Sequence, residues 1–202
     1  MRSAGIVVGL LLVCGGTAFA QQPAAFGVRA GANFADLNFE GEGADINLDR
    51  RPGFVGGLFV VVPANRQFAL QTEAIFSQKG AKSESGDFSG KVTLNYLEVP
   101  VLARISSPAT TAASFHVFAG PALGLRLSAK SELEEDGEEE NEDIDDDVKR
   151  FDLGLVLGAG VEVGRFVIDG RYTWGLLNIN NVESDDVTIK NRAFAVMAGF
   201  RF

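Results

Sequence analysis

Apolar and polar residues alternate with a period of two through most of this sequence. Phe26, Val28, Ala30, Ala32 and Phe34 are apolar, whereas Gly27, Arg29, Gly31, Asn33 and Ala35 between them are mostly small or polar. Successive side chains of a β-strand point to opposite faces, so the pattern predicts a strand between two different environments. Seven further apolar sets follow, running over residues 54–62, 68–76, 97–103, 115–125, 151–161, 166–176 and 194–202. Most of them approach or exceed the roughly 9 to 11 residues that a tilted membrane strand needs. Three predicted connections are short, at Pro63-Ala64-Asn65, 106–113 and Gly164-Arg165. The other four, at 37–51, 78–91, 129–150 and 178–190, are longer. Beyond residue 20 a membrane helix is not expected, because the longest uncharged stretch there, Ile105 to Leu125, is broken by Ser106-Ser107-Pro108 and Thr110-Thr111.

Where the charges fall decides which face is inside. Arg29, Glu73, Glu98, Arg104, Arg126, Asp152, Glu162, Asp169, Arg171 and Arg201 all take the parity opposite to the apolar sets. Within the predicted strands the apolar parity carries no charge except Arg192, near a strand end. A soluble calyx would hold its apolar residues inside. Here the apolar face must look outward into hydrocarbon, where a mid-depth Arg or Lys costs about 2 to 4 kcal/mol. Of the 18 aromatic residues after position 20, 13 take the outward parity, and Phe59, Tyr96 and Phe118 point inward. The outward ones gather towards the strand ends, in two rings. From Phe26 to Phe34 is roughly 26 Å of strand, or about 20 Å after tilting, close to the apolar band of a membrane barrel.

Composition narrows the class. With 46% hydrophobic residues the chain is too apolar for disorder, and one Cys cannot build a disulfide framework or a Cys-rich zinc site. A net charge of −9 argues against nucleic acid as a partner. Residues 1–20 read as a cleaved signal peptide: Arg2 precedes an apolar run, and Ala18-Phe19-Ala20 supplies the small-x-small site. A lipid anchor on Cys14 is disfavoured, because Val13 stands where a small residue is wanted. Residues 21–202 then form one barrel domain. Its acidity is local, since the 18 residues from Ser131 to Val148 hold 12 acids and no base.

Several segments resemble a known family. Gln71-Thr72-Glu73 with Phe76-Ser77-Gln78-Lys79-Gly80, then Tyr96-Leu97-Glu98-Val99-Pro100, Phe118-Ala119-Gly120-Pro121, Gly158-Ala159-Gly160-Val161-Glu162 and Arg171-Tyr172-Thr173-Trp174-Gly175-Leu176 resemble the PorT-like outer-membrane β-barrel family. The resemblance covers nearly all of residues 21–202. It implies an eight-stranded barrel in the outer membrane of a Gram-negative bacterium and assigns no activity. The acidic segment is not expected of the family. Phe202, closing an alternating set, resembles the terminal strand signal read by the barrel-assembly machinery.

The expected chemistry follows from the interior. An eight-stranded lumen is just wide enough to be filled by side chains. Buried ions need partners, so the ten inward charges should pair, with Glu73 and Glu98 meeting arginines such as Arg29, Arg104 or Arg171. Inward Gly120, Gly124, Gly154, Gly158 and Gly160 should leave room for those arginines. His116, the one imidazole, also points inward and is expected to be packed rather than catalytic. No P-loop, G-x-S-x-G elbow or His-rich metal spacing is present, and no cofactor is expected. Asp143, Asp145 and Asp147 are weak candidates for a divalent cation, or for a cationic partner, on an acidic loop expected to be solvated and extended.

The fold expected is therefore all-β: an eight-stranded antiparallel up-and-down transmembrane barrel with short periplasmic turns and long extracellular loops. It should be monomeric in outer-membrane lipid, with a structural or surface-recognition role and neither an open pore nor catalysis. The alternatives are a lipid-modifying outer-membrane enzyme or an accessory factor of an envelope secretion system. The processed chain should need detergent or lipid to stay folded, checked by sedimentation and circular dichroism. A folded, monodisperse sample in plain buffer contradicts this arrangement of faces.

Overall fold

The structure, a computed structural model, describes residues 23–40, 49–85, 88–108, 113–135, 138–181 and 188–202. The expected leader over residues 1–20 lies outside them. The strands are β1 (Ala25–Glu40), β2 (Asp49–Pro63), β3 (Phe68–Ser85), β4 (Phe88–Ser106), β5 (Ala113–Glu135), β6 (Glu138–Asp143), β7 (Phe151–Val163), β8 (Phe166–Gly175) and β9 (Thr188–Arg201). Every pairing between them is antiparallel. β1 pairs with both β2 and β9, and β4 pairs with β5, so eight strands close into a barrel. β6 stands outside that ring, paired with the far half of β5.

The alternation read from the sequence becomes an inside and an outside. Along β8, Phe166 and Ile168 are exposed, while Val167, Asp169, Arg171 and Thr173 are buried. Of the inward aromatics, Tyr96, Phe59 and Phe118 are all at most 2% exposed, whereas Phe26, Phe115, Phe166 and Phe202 exceed 55%. Closure removes the sheet edges that an apolar exterior would otherwise leave unsatisfied in hydrocarbon. At the short-turn end, Asn65 Oδ1 accepts from the Gln67 and Phe68 amides. Gly164, at φ +61°, makes the two-residue turn between β7 and β8.

The strands outrun the sequence expectation on the long-loop side. Residues 78–91 and much of 129–150 read as loops, yet β3 runs to Ser85, β4 starts at Phe88 and β5 continues to Glu135. Apolar alternation is imposed by hydrocarbon. Above the membrane the outer face no longer meets hydrocarbon, so the ladder persists after its hydrophobic signature has ended, while Ala81, Leu94 and Ala129 stay buried on its inner face. The acidic segment, expected as a solvated loop, accordingly continues β5, returns as β6 and closes with a 3₁₀ turn at Asp145–Asp147. A bulge in β5 sets Tyr96 opposite Arg126 and Asn95 opposite Ser128, leaving Leu127 as the extra residue. Inward parity thus passes from even to odd numbers, and Ala129 is fully buried.

Leu157, mid-way along β7, is half-exposed on the outer face. Replacing it by Arg should destabilise the folded barrel by about 2 to 4 kcal/mol in lipid vesicles, read from urea titration. A change below about 1 kcal/mol would mean that the mid-band position is not in hydrocarbon.

Candidate functional site

The centre of the lumen is a closed ring of two guanidiniums and two carboxylates. Arg171 on β8 grips Glu73 on β3 with both terminal nitrogens, at 2.7 and 3.1 Å. Arg29 on β1 lies 3.1 Å from Glu73 and donates to Asp169 at 3.0 Å, and Arg171 reaches Asp169 at 3.2 Å. β3 and β8 are four strands apart in the ring of eight, so the Glu73–Arg171 pair spans the lumen. All four side chains are buried, and their formal charges cancel. A lone ion at this depth would be several kcal/mol unfavourable, whereas a fork-to-fork pair with extra hydrogen bonds recovers most of that penalty.

The ring continues towards the short-turn end. Gln71 Nε2 donates to Glu73 at 2.5 Å, and its carbonyl oxygen accepts from Arg104 at 3.1 Å. Arg104 Nη2 lies 2.8 Å from Glu162, which also accepts from Arg201 at 3.3 Å. Towards the long-loop end a second group forms. Lys79 meets Glu98 at 2.5 Å and Asp152 at 4.0 Å, and Asp152 accepts from Asn191 at 2.7 Å. Between the two groups lies a cavity of about 20 Å³ lined in part by Asn33, Ser77 and Thr173, room for about one water.

Each inward aromatic sits beneath a cation. Arg29 lies 4.2 Å from the Phe59 ring centroid, Arg171 5.0 Å from Phe118 and Lys79 5.2 Å from Tyr96. This corrects the reason for the inward glycines. A Cβ on Gly158 would strike the Phe118 ring, and one on Gly160 would come 2.7 Å from His116 Nε2. These glycines make room for rings, and Phe118 in turn supports a guanidinium. His116 itself is buried, its ring 5.8 Å from that of Phe118.

Two of the expected partners differ. Glu98 meets Lys79, not an arginine: the two lie on the inner face of neighbouring strands, Glu98 opposite Ile75 and Lys79 four residues farther along, and the lysine spans that offset. Lys79 itself escaped the sequence reading, which ended the strand at Phe76. Carrying the inward parity through 71, 73, 75 and 77 to 79 would have found it. Arg126 does not join the central ring. It contacts Asp145 through Oδ1 and, at 2.5 Å, through the backbone carbonyl, because the bulge at Leu127 sets it at the foot of the acidic segment.

Two of the three candidate cation ligands, Asp143 and Asp145, use a carboxylate oxygen within the fold. Asp145 Oδ1 also accepts from the Ala129 amide at 2.7 Å, and Asp143 Oδ1 accepts from the Asp145 amide at 3.1 Å. The Asp147 carbonyl accepts from the Asn181 amide at 2.9 Å. Among the described residues no group of three or more His, Cys, Asp or Glu side chains is placed to hold a metal ion. Above Tyr96 these bonds seat Ile144 and Val148 against Leu94, Ala129 and Ile179, an apolar cap over the long-loop end. Farther out, Lys91 Nζ lies 2.5 Å from Glu132, and this hydrogen bond holds the Glu132 carboxyl below the usual range.

Residues 19–181 match the outer membrane protein beta-barrel domain family. No curated protein matches the sequence. OprG of Pseudomonas aeruginosa is similar in fold, at 12% identity over 89% of this chain and 96% of that one, with a TM-score of 0.51. Ail, the attachment invasion locus protein of Yersinia pestis, shares 18% identity over 90% of this chain and 100% of its own, at a TM-score of 0.47. Neisserial surface protein A shares 14% over the same proportions, also at 0.47. At these identities the likeness concerns the fold alone.

Glu73→Gln should leave Arg171 and Arg29 short of a buried partner and destabilise the barrel by about 3 to 5 kcal/mol. Lys91→Ala, at an exposed pair, should change stability by less than about 1 kcal/mol. Denaturant titration in detergent or lipid ranks the two. A Glu73→Gln effect no larger than that of Lys91→Ala would show that the ring does not hold the barrel.

Proposed function

The chain belongs to the outer membrane protein beta-barrel domain family, of the outer membrane of Gram-negative bacteria, and from this premise we propose that it acts by surface recognition through its extracellular side. The observation that carries the reading is the asymmetry of the barrel. On the long-loop side β3, β4, β5 and β6 continue as one sheet, with Ser85 opposite Phe88, Phe88 opposite Glu135 and Glu135 opposite Glu138. From the aromatic level at Phe76 to Ser85 this extension is about 30 Å along the strand. β6 forms one margin of it, and β6 with the end of β5 carries eight of the segment's 12 acids.

A strand-paired segment of such dense negative charge suits a cationic partner. It attracts that partner over about one Debye length, roughly 8 Å at physiological salt. The ion-paired lumen supports a closed rather than a conducting barrel, and recognition rather than catalysis. The motifs around Gln71 to Gly80 and Tyr96 to Pro100 support a PorT-like place within the family. Monomeric insertion into lipid, helped by the assembly machinery reading the Phe202 end, belongs to the same proposal.

Octalysine added to the protein in lipid nanodiscs is the direct test. Binding should be saturable and weaken as salt is raised. A variant with residues 136–142 replaced by a neutral Gly-Ser turn should lose most of it. Equal binding by wild type and variant overturns the reading. In a planar bilayer the protein should give no stepwise conductance, and regular channel openings would contradict the closed lumen.

A further inference from the structure

The end of the barrel opposite the acidic sheet holds a cavity of about 870 Å³, within the size range of small-molecule sites. It lies among the short turns, which in an outer-membrane barrel face the periplasm. Its charged lining, among the described residues, is three guanidiniums, Arg66, Arg104 and Arg201, against one carboxylate, Glu162. Glu162 is shared by Arg104 and Arg201, and Arg104 spends its other nitrogens on Gln71 and Ser106. The Arg201 guanidinium meets Glu162 at 3.3 Å, and its side chain is 36% exposed. Arg66 is exposed on the turn between β2 and β3. Positive charge at this mouth therefore exceeds negative, although the whole chain is acidic.

The wall beside these cations is apolar. Val61 is buried with Phe59 and Val167, Ala69 packs against them, and Pro63 completes that side of the cavity. A pocket with surplus guanidinium on one side and aliphatic surface on the other selects a molecule built the same way. We propose that this periplasmic vestibule binds a small organic carboxylate with an apolar body. Arg201 and Arg66 take the carboxylate, and Val61, Ala69 and Pro63 take the body. Arg104, already satisfied by Glu162, Gln71 and Ser106, holds the cavity floor in place.

Such a carboxylate could come from an aliphatic acid or from a peptide terminus, and two probes separate these sources. Octanoate and N-acetyl-Ala-Leu, each beside its neutral amide, are titrated calorimetrically into the full barrel in lipid nanodiscs, with empty nanodiscs as the blank. At least one acid should bind saturably while its amide does not. Arg201→Gln and Arg66→Gln should each weaken that binding by about tenfold or more, the loss of one charge-assisted contact. Lys130→Gln, at the far end, should leave it unchanged. Arg66 lies outside every ion pair described above, so its variant tests the site even if Arg201→Gln unfolds the barrel. The proposal is overturned if neither acid saturates, if the amides bind equally well, or if the Arg66 variant binds within about twofold of wild type.

Discussion

Ions that cannot sit in hydrocarbon must sit inside the barrel, and inside an eight-stranded barrel there is almost no water to solvate them. This double exclusion governs the molecule. It leaves side chains of opposite sign as the main solvent for charge. The ring of Arg29, Glu73, Arg171 and Asp169 meets the condition with two cations and two anions, drawn from β1, β3 and β8. Because the Glu73–Arg171 pair spans the lumen, the same contacts that neutralise the interior also tie distant staves together. The aromatic faces beneath Arg29, Arg171 and Lys79 extend the principle, since a ring quadrupole partly replaces lost hydration.

The two ends of this neutral core have opposite character. At the long-loop end, the Asp145 bonds to Arg126 and Ala129 fasten an apolar cap under a sheet rich in acids. At the short-turn end the cavity is ringed by surplus guanidinium. The two ends thus differ in charge, and the ion-paired ring lies between them. Within the acidic segment, burying part of the backbone and pairing Asp145 offsets the self-repulsion that would favour a loose chain. That is why its base follows the strand ladder.

Much of the architecture was legible because hydrocarbon writes a strict code. Phe166, Ile168 and Trp174 had to alternate with Asp169, Arg171 and Thr173, and the structure turns them out and in accordingly. The code falls silent where the membrane stops. Lys79 lies three residues past the last ring at Phe76, where apolar alternation no longer marks a strand, so it passed as a loop residue. Arg126 kept the right parity, yet the single extra residue Leu127 ended the inward register there and brought Asp145 to it.

The sequence by itself determined the fold class, the number of staves, the two aromatic levels and, within the eight apolar sets, which residues face the lumen. Each of these depends only on a period of two set against one uniform external solvent. The sequence offered Glu73 several arginines, and tertiary structure decided among them. Glu73 meets Arg171 across 98 residues of chain, and Glu98 meets Lys79 in place of an arginine, because closure and register place particular staves opposite one another. A one-dimensional pattern fixes the face a side chain presents. Only the closed ring fixes the depth and the opposing strand, and those two coordinates decide which opposite charge lies within reach.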